Sequence, residues 1–290
     1  MANIKELKKK IRSTKSSLKI TTAMKLVSAA KLAKAQSAVV GARPYADELD
    51  QTIKTISALA KDYVHPFFKE NEDNKMAHLL VISSNKGLCG GYNSQLIREV
   101  RAFTKRSNLD LKLHFMGKKA KDVLAGEVQN IGPDIVFKKQ DPSYREIREL
   151  ALGFAKDFER GEVGHLFVAY NVFHSAIRFT PTIRKLLPMN VDVSEKKILR
   201  DEMPFDFKYE PRADKILDTL IPETYINTLY TCLLDALAAE HGSRMSSMDS
   251  AANNCKDLIR KFTLKANKLR QAAITTELIE VVSGAESLNA

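Results

Sequence analysis

Three glycines stand where they could hold a phosphate. Gly87, Gly90 and Gly91 follow the apolar run AHLLVIS (residues 77–83) and precede an amphipathic stretch, residues 94–105. A strand, a glycine turn and a helix N-terminus are the parts of a phosphate loop, because backbone N–H groups and the helix dipole converge there. The spacing is not GxGxxG and no Gly-Lys-Ser/Thr follows, so a tight strand-to-helix turn is the simpler use of these glycines. Cys89 in the same turn is either a reactive thiol or, the simpler use, a small buried filler. The histidines (His65, His78, His114, His165, His174, His241) fall in different elements and show no HxxxH spacing, which leaves metal binding unsupported. His241 lies among serines with no orienting carboxylate in sight, so no nucleophilic triad can be built. Glu277 and Glu280 share a helix face, where a solvated or partner-binding role is simpler than a catalytic pair. The residues therefore point to no catalytic site, no metal and no cofactor.

The elements that would position these groups are of two kinds. After Pro222 no proline follows, and up to Gly284 the only glycine is Gly242. Apolar residues recur every three or four positions: Tyr225, Leu229, Cys232, Ala236, Ala239, then Met245, Met248, Ala252, Cys255, Ile259, Phe262, Ala266, Leu269, Ala273. A helix from Glu223 to Val282 would be about 90 Å long at a rise of about 1.5 Å per residue. Globular helices rarely exceed about 25 residues, so a partner helix must cover this stripe. Residues 3–58 supply one, with Asn3 as cap, Ile4, Leu7, Ile11, Thr14 and Leu18 in a seven-residue repeat, and Met24, Val27, Ala30, Leu49, Ile53, Ile56 and Ala60 continuing it. Gly41 and Pro44 predict a bend.

Between them the pattern changes. Residues 65–74 carry Pro, Asn and charge and mark a boundary. Strands are expected at 77–83, 111–116, 134–138 and 165–173, with further candidates at 178–186 and 189–193. Helices are expected at 94–105 and 118–125, and another starts at Asp141-Pro142 with Ile147, Leu150, Phe154 and Phe158 on its apolar face. The alternation implies a mainly parallel sheet covered on both faces. The chain divides into an N-terminal coiled-coil helix (1–62), an inserted α/β domain (77–200), a proline-rich connector (201–222) and a C-terminal coiled-coil helix (223–290). Helices from opposite ends bury each other only if they run antiparallel, with the insert at one end.

The net charge of +11 and a pI near 9.4 favour acidic partners: nucleic acid, an anionic membrane surface or an acidic protein. Lys5, Lys8, Lys9, Lys10, Arg12, Lys15, Lys19, Lys25, Lys31 and Lys34 face one early acid, Glu6. Three scattered cysteines argue for a reducing compartment. No apolar run approaches the ~18 residues that span a bilayer, and the N-terminus shows neither a signal nor a transit pattern. Around Arg244 the helix is lined with small residues: Ala236, Ala238, Ala239, Gly242, Ser243, Ser246, Ser247, Ser250, Ala251 and Ala252. They suit ordinary close helix packing or a narrow shaft that fits inside something.

Several of these stretches resemble the gamma subunit of F-type ATP synthases. TAMKLVSAAKL (22–32) is similar to the family's TxAMxMVAAxKL, and SNKGLCGG (84–91) to its DRGLCGG turn with Asn and Lys for Asp and Arg. VAYNVFHS (168–175), LLP (186–188) and YEP (209–211) resemble its sheet and the start of its second helix. AEHGSRM (239–245) resembles ASEHAARM, with Gly242-Ser243 for Ala-Ala, a departure that predicts a looser helix there. RQAAITTELIEVVSGA (270–285) matches the C-terminal signature throughout. The resemblance implies a long antiparallel two-helix coiled coil with an inserted Rossmann-like α/β domain, an α+β/α/β mixed fold. It implies a rotor subunit with no catalytic site of its own, working beside alpha and beta subunits, an epsilon subunit and a membrane c-ring. It places hexamer contacts at Met24, Arg244, Gln271, Thr275 and Glu277, and the epsilon and c-ring side at Tyr209 and Glu210. The turn carries no plastid-type insertion, and the implied setting is the cytoplasmic face of a bacterial inner membrane, with no cofactor and membrane contact only through the ring. Two other classes compete. A basic coiled-coil nucleic-acid binder would need aromatic or arginine base readers, and this arm is lysine-dominated. A nucleotide-dependent α/β enzyme would need the Gly87 turn as its loop.

Overall fold

The computed structural model describes residues 2–59, 65–70, 74–137, 142–189, 210 and 212–289. Helix α1 (Ala2–Leu59) opens the chain. There follow β1 (Met76–Ile82), α2 (Tyr92–Arg106), β2 (Asp110–Met116), α3 (Lys118–Leu124), α4 (Tyr144–Glu159), β3 (His165–Ser175), β4 (Arg178–Leu187) and the long helix α5 (Ala213–Asn289). Two compact units emerge. One joins residues 1–29 to 244–290, and the other spans 30–243.

The first unit is an antiparallel helix pair. The Lys25 ammonium lies 2.6 Å from Asp249, while the charge of Lys265 acts on Glu6, so positions rise on one helix as they fall on the other. Within this unit the less exposed residues are 4, 7, 11, 14, 18, 21, 24, 25, 28 and 29 on α1, and 244–249, 251, 252, 255, 259, 262, 266, 269 and 273 on α5. Steps of three and four along both helices are the seam of a coiled coil. The repeat holds as expected through Leu18 and on α5. Past Met24 it drifts: Val27 is exposed and Ser28 is the seam residue, because the three-four alternation reaches 28 from 25 and 21.

The second unit is a four-stranded sheet in the order β2-β1-β3-β4. β1 runs parallel to both β2 and β3, and β4 runs antiparallel to β3. The antiparallel edge departs from a mainly parallel expectation for a simple reason: only Ala176 and Ile177 separate β3 from β4, and so short a link permits only a hairpin. Side chains alternate across β1. Ala77, Leu79 and Val81 face a core built with α2 and α3. Leu80 and Ile82 face a second core built with α4, α5 and Phe67. Phe67 is almost fully buried, edge-on to Tyr225 at 5.5 Å and to Phe158 at 6.4 Å.

Other differences from the sequence reading have local causes. Residues 134–137 form no strand. Ile131 and Ile135 make only isolated bridges to Leu113 and Met116, and Pro133 between them has no N–H to give a ladder; Lys138 lies outside the described residues. The candidate strand 189–193 also falls outside them apart from Met189, which is in no strand. The cap of α4 is Ser143, whose hydroxyl accepts from the Glu146 amide while the Glu146 carboxylate accepts from the Ser143 amide. α1 is helical through Gly41 and Pro44. α5 begins at Ala213, ahead of Pro222, not after it. Leu217, Ile221, Tyr225 and Ile226 are nearly fully buried on that stretch. Each such burial is worth about 1.5–3 kcal/mol, which together outweighs the roughly 3 kcal/mol cost of an internal proline.

Candidate functional site

The glycine turn after β1 is closed upon itself. The Ser84 amide donates to Asn93 Oδ1 at 3.1 Å, and Asn93 Nδ2 donates to Ser84 Oγ at 2.8 Å and to Cys89 Sγ at 3.1 Å. The Tyr92 amide donates to the Cys89 carbonyl at 3.2 Å. Leu88 (φ 63°) and Gly90 (φ 54°) take the left-handed conformation that reverses the chain. These groups satisfy one another inside the turn, which is what a structural turn does and a phosphate cradle does not. The Cys89 side chain is buried, as a filler would be.

What the turn does reach is helix α5. Ser243 Oγ donates to the Cys89 carbonyl at 2.6 Å. The Tyr92 hydroxyl donates to the Ala236 carbonyl at 3.2 Å, and Asn171 Nδ2 on β3 donates to the Tyr92 carbonyl at 3.2 Å. On the same helix, a Cβ on Gly242 would lie only 3.0 Å from the Ala176 Cα at the β3–β4 hairpin apex. Ala236, Ala238, Ala239, Gly242 and Ser243 are all buried. The small-residue stretch therefore has two parts. Through Ser243 it is small so that turn and hairpin can lie against it; Ser246, Ser247 and Ser250 beyond are partly or fully exposed. The Gly-Ser pair does not loosen α5, which is helical throughout, and both residues are tied down. The sequence held one signal for this seat: a glycine alone between Pro222 and Gly284, read as a weakness when it marks a close approach.

Beside the turn, a cavity of about 760 Å³ opens at the carboxyl ends of β1 and β2, floored by Ile82, Phe115, Met116 and Leu233. On its rim the Lys121 ammonium holds both Asp134 oxygens at 2.6 and 2.7 Å. Gly117 (φ 105°) turns the chain there, and a Cβ on it would fall 2.0 Å from the Ser83 carbonyl.

The structure also joins two histidines that the spacing kept apart. His78 on β1 and His114 on β2 are buried with ring centroids 4.6 Å apart, and Phe154 lies edge-on to both. Burial, then the neighbouring His78 and Lys112 charges, push His114 down to about 4. His78 is also lowered by burial, against the pull of Asp157. Both are neutral at pH 7. Among the described residues no group of three or more His, Cys, Asp or Glu could hold a metal ion.

The residues singled out by resemblance occupy different surroundings. Met24 is half-buried on the α1 seam, next to Lys25 and its Asp249 partner. Arg244 is buried on α5. Gln271, Thr275 and Glu277 are exposed, and the Thr275 hydroxyl donates to the Gln271 carbonyl at 3.0 Å. Glu210 is exposed, and Tyr209 lies outside the described residues. Around Gln271, Thr275 and Glu277 the helix also exposes Ile274, Leu278, Ile279, Val281 and Val282, the last two 70% and 59% accessible. Most early cations of α1 are exposed too, Lys5, Lys8, Lys9, Arg12, Lys15 and Lys19 among them. No described helix is long and apolar enough to cross a membrane.

Comparison with known proteins bears on all of this. The family model described as ATP synthase matches residues 3–288. The ATP synthase gamma chain of Lachnoclostridium phytofermentans is 37% identical over the whole of both chains, and that of Bdellovibrio bacteriovorus is 38% identical over 99% of each. Among solved structures, a chain of the Euglena gracilis mitochondrial ATP synthase (OSCP/F1/c-ring) has the same fold with a TM-score of 0.68 at 20% identity, covering 99% of this chain and 95% of that one. A chain of the Tetrahymena thermophila central stalk/c-ring follows at 0.59 and 23%, covering 80% and 99%. None of these likenesses supports a nucleic-acid-binding role. On a family match over residues 3–288 and full-length relatives of this identity, the chain belongs to the ATP synthase gamma chain family.

Proposed function

We propose that this chain is the central rotor stalk of an ATP synthase, coupling proton-driven rotation of a c-ring to ATP synthesis or hydrolysis at the beta subunits of an alpha–beta hexamer. The observation that carries the reading is the far part of α5. Ile274, Leu278, Ile279, Val281 and Val282 are held helical yet exposed, and an apolar surface of that kind is an interaction site in want of a sleeve. The hexamer cavity is that sleeve, with Gln271, Thr275 and Glu277 as polar contacts on the same stretch, and Met24 and Arg244 as contacts lower on the coil. The exposed lysine face of α1 meets acidic collars on the hexamer. Tyr209 and Glu210 face the epsilon subunit and the ring. The chain catalyses nothing itself, and it sits peripherally at the cytoplasmic face of a bacterial inner membrane. Mixing the purified chain with alpha and beta subunits tests this. The chain alone should hydrolyse no ATP, and its addition should stabilise and activate the hexamer. Equal hydrolysis with and without it defeats the proposal.

A further inference from the structure

The seat of α5 on the sheet unit ends abruptly. The boundary between the two compact units falls between Ser243 and Arg244, so Gly242 and Ser243 are the last residues of α5 within the sheet unit. There two elements converge on one helical turn, and a third holds the helix about two turns back. The glycine turn delivers the Cys89 carbonyl to Ser243 Oγ at 2.6 Å. The hairpin apex delivers Ala176 against the bare Cα of Gly242. Tyr92, itself held by Asn171, grips the Ala236 carbonyl further back.

We propose that Gly242 and Ser243 are positioning residues that key α5 to the sheet unit and prevent it from rolling about its own axis under torsional load. An apolar seat resists separation but has no preferred angle at fine scale, because hydrophobic contact is non-directional. A hydrogen bond 2.6 Å long to a carbonyl and a backbone pressed into a missing Cβ are directional, and both are lost when the helix turns. The torque that one turn of helix hands on is therefore fixed by this pair. The inference rests on the rotor reading above.

The test uses the assembled ATP synthase in sealed membrane vesicles, reading ATP-driven acidification per ATP hydrolysed, together with hydrogen exchange on the full-length chain. Ser243→Ala removes the bond. Exchange of the Tyr92 amide, which closes the turn onto Cys89, should quicken by about fivefold, the equivalent of one net hydrogen bond. Acidification per ATP should fall while hydrolysis continues, and Ser243→Thr, which keeps the hydroxyl, should restore it. Gly242→Val, which drives a branched side chain into Ala176, should lose more coupling than Ser243→Ala. Unchanged exchange in Ser243→Ala overturns the key itself. Faster exchange with full acidification per ATP in both variants overturns its torsional role while the rotor reading stands. If the unsubstituted complex gives no ATP-driven acidification, the rotor reading falls first.

Discussion

Helix α5 lives two lives. From Leu217 to Ser243 the sheet unit buries most of its residues, including polar ones such as Asn227, Asp235 and Glu240. From Ala252 onward only one residue in three or four is sheltered, and past Ala273 none of those described is. Composition does not explain this, since Ile274, Leu278 and Val281 are as apolar as Leu217 or Ile221. The difference lies in how much partner each stretch finds in its own chain. A sheet with helices on both faces surrounds the first, one helix lines the second, and none of the described residues covers the last. Apolar side chains that stay outside their own fold state where another molecule belongs.

Four measurements would sharpen or break that contrast. The largest effect belongs to the enclosed stretch: Phe67→Ala removes a ring packed against Tyr225 and Phe158 and should cost about 3–5 kcal/mol in urea denaturation. An acid titration comes next. His114 is pushed down to about 4 from an ordinary 6.5. A lowered histidine means the unfolded chain binds the proton first. Stability contributed by its neutral form is full above about pH 6.5 and is lost as pH falls toward 4, at about 1.4 kcal/mol per pH unit. Urea midpoints at pH 7 and 5 should differ accordingly, and His114→Gln should flatten the slope. Third, Lys25→Ala deletes an ion pair that is some 40–47% exposed and should shift stability by no more than about 0.5 kcal/mol, less at high salt. Last, Leu278→Asp with Ile279→Asp should leave the melting of the free chain within about 0.5 kcal/mol of the parent while abolishing activation of the alpha–beta hexamer. A large loss of stability there would mean that the chain covers its own end.

Periodicity made most of the architecture legible, and for a physical reason. The coil is local pattern repeated, so Leu7, Ile11, Met248 and Ala266 announce their seam by spacing alone. Buried parallel strands such as 77–83 show as unbroken apolar runs. What stayed hidden depends on neighbours far away in sequence. Pro222 looked like a stop because the burial of Leu217 and Ile221 that overrides it comes from other elements. His78 and His114 meet only because β1 and β2 pair in a register that sets Leu80 opposite His114. Gly242 gains its meaning from Ala176, across a hairpin no local rule connects to it. Of the contacts suggested by resemblance, Arg244 is buried and Gln271, Thr275 and Glu277 are on open surface, a contrast that no side-chain type reveals.

The pairing of Lys25 with Asp249 spans 224 positions, and it carries a consequence for biogenesis. A ribosome adding about 5–20 residues per second finishes the N-terminal heptads many seconds before their partner exists. The sheet unit waits almost as long, since it needs α5 as far as Ser243. During the interval the first helix offers the nascent chain an unpaired apolar seam flanked by lysines. That seam is a natural target for a chaperone, or for a neighbouring polysome's chain, until the distant half arrives to cover it.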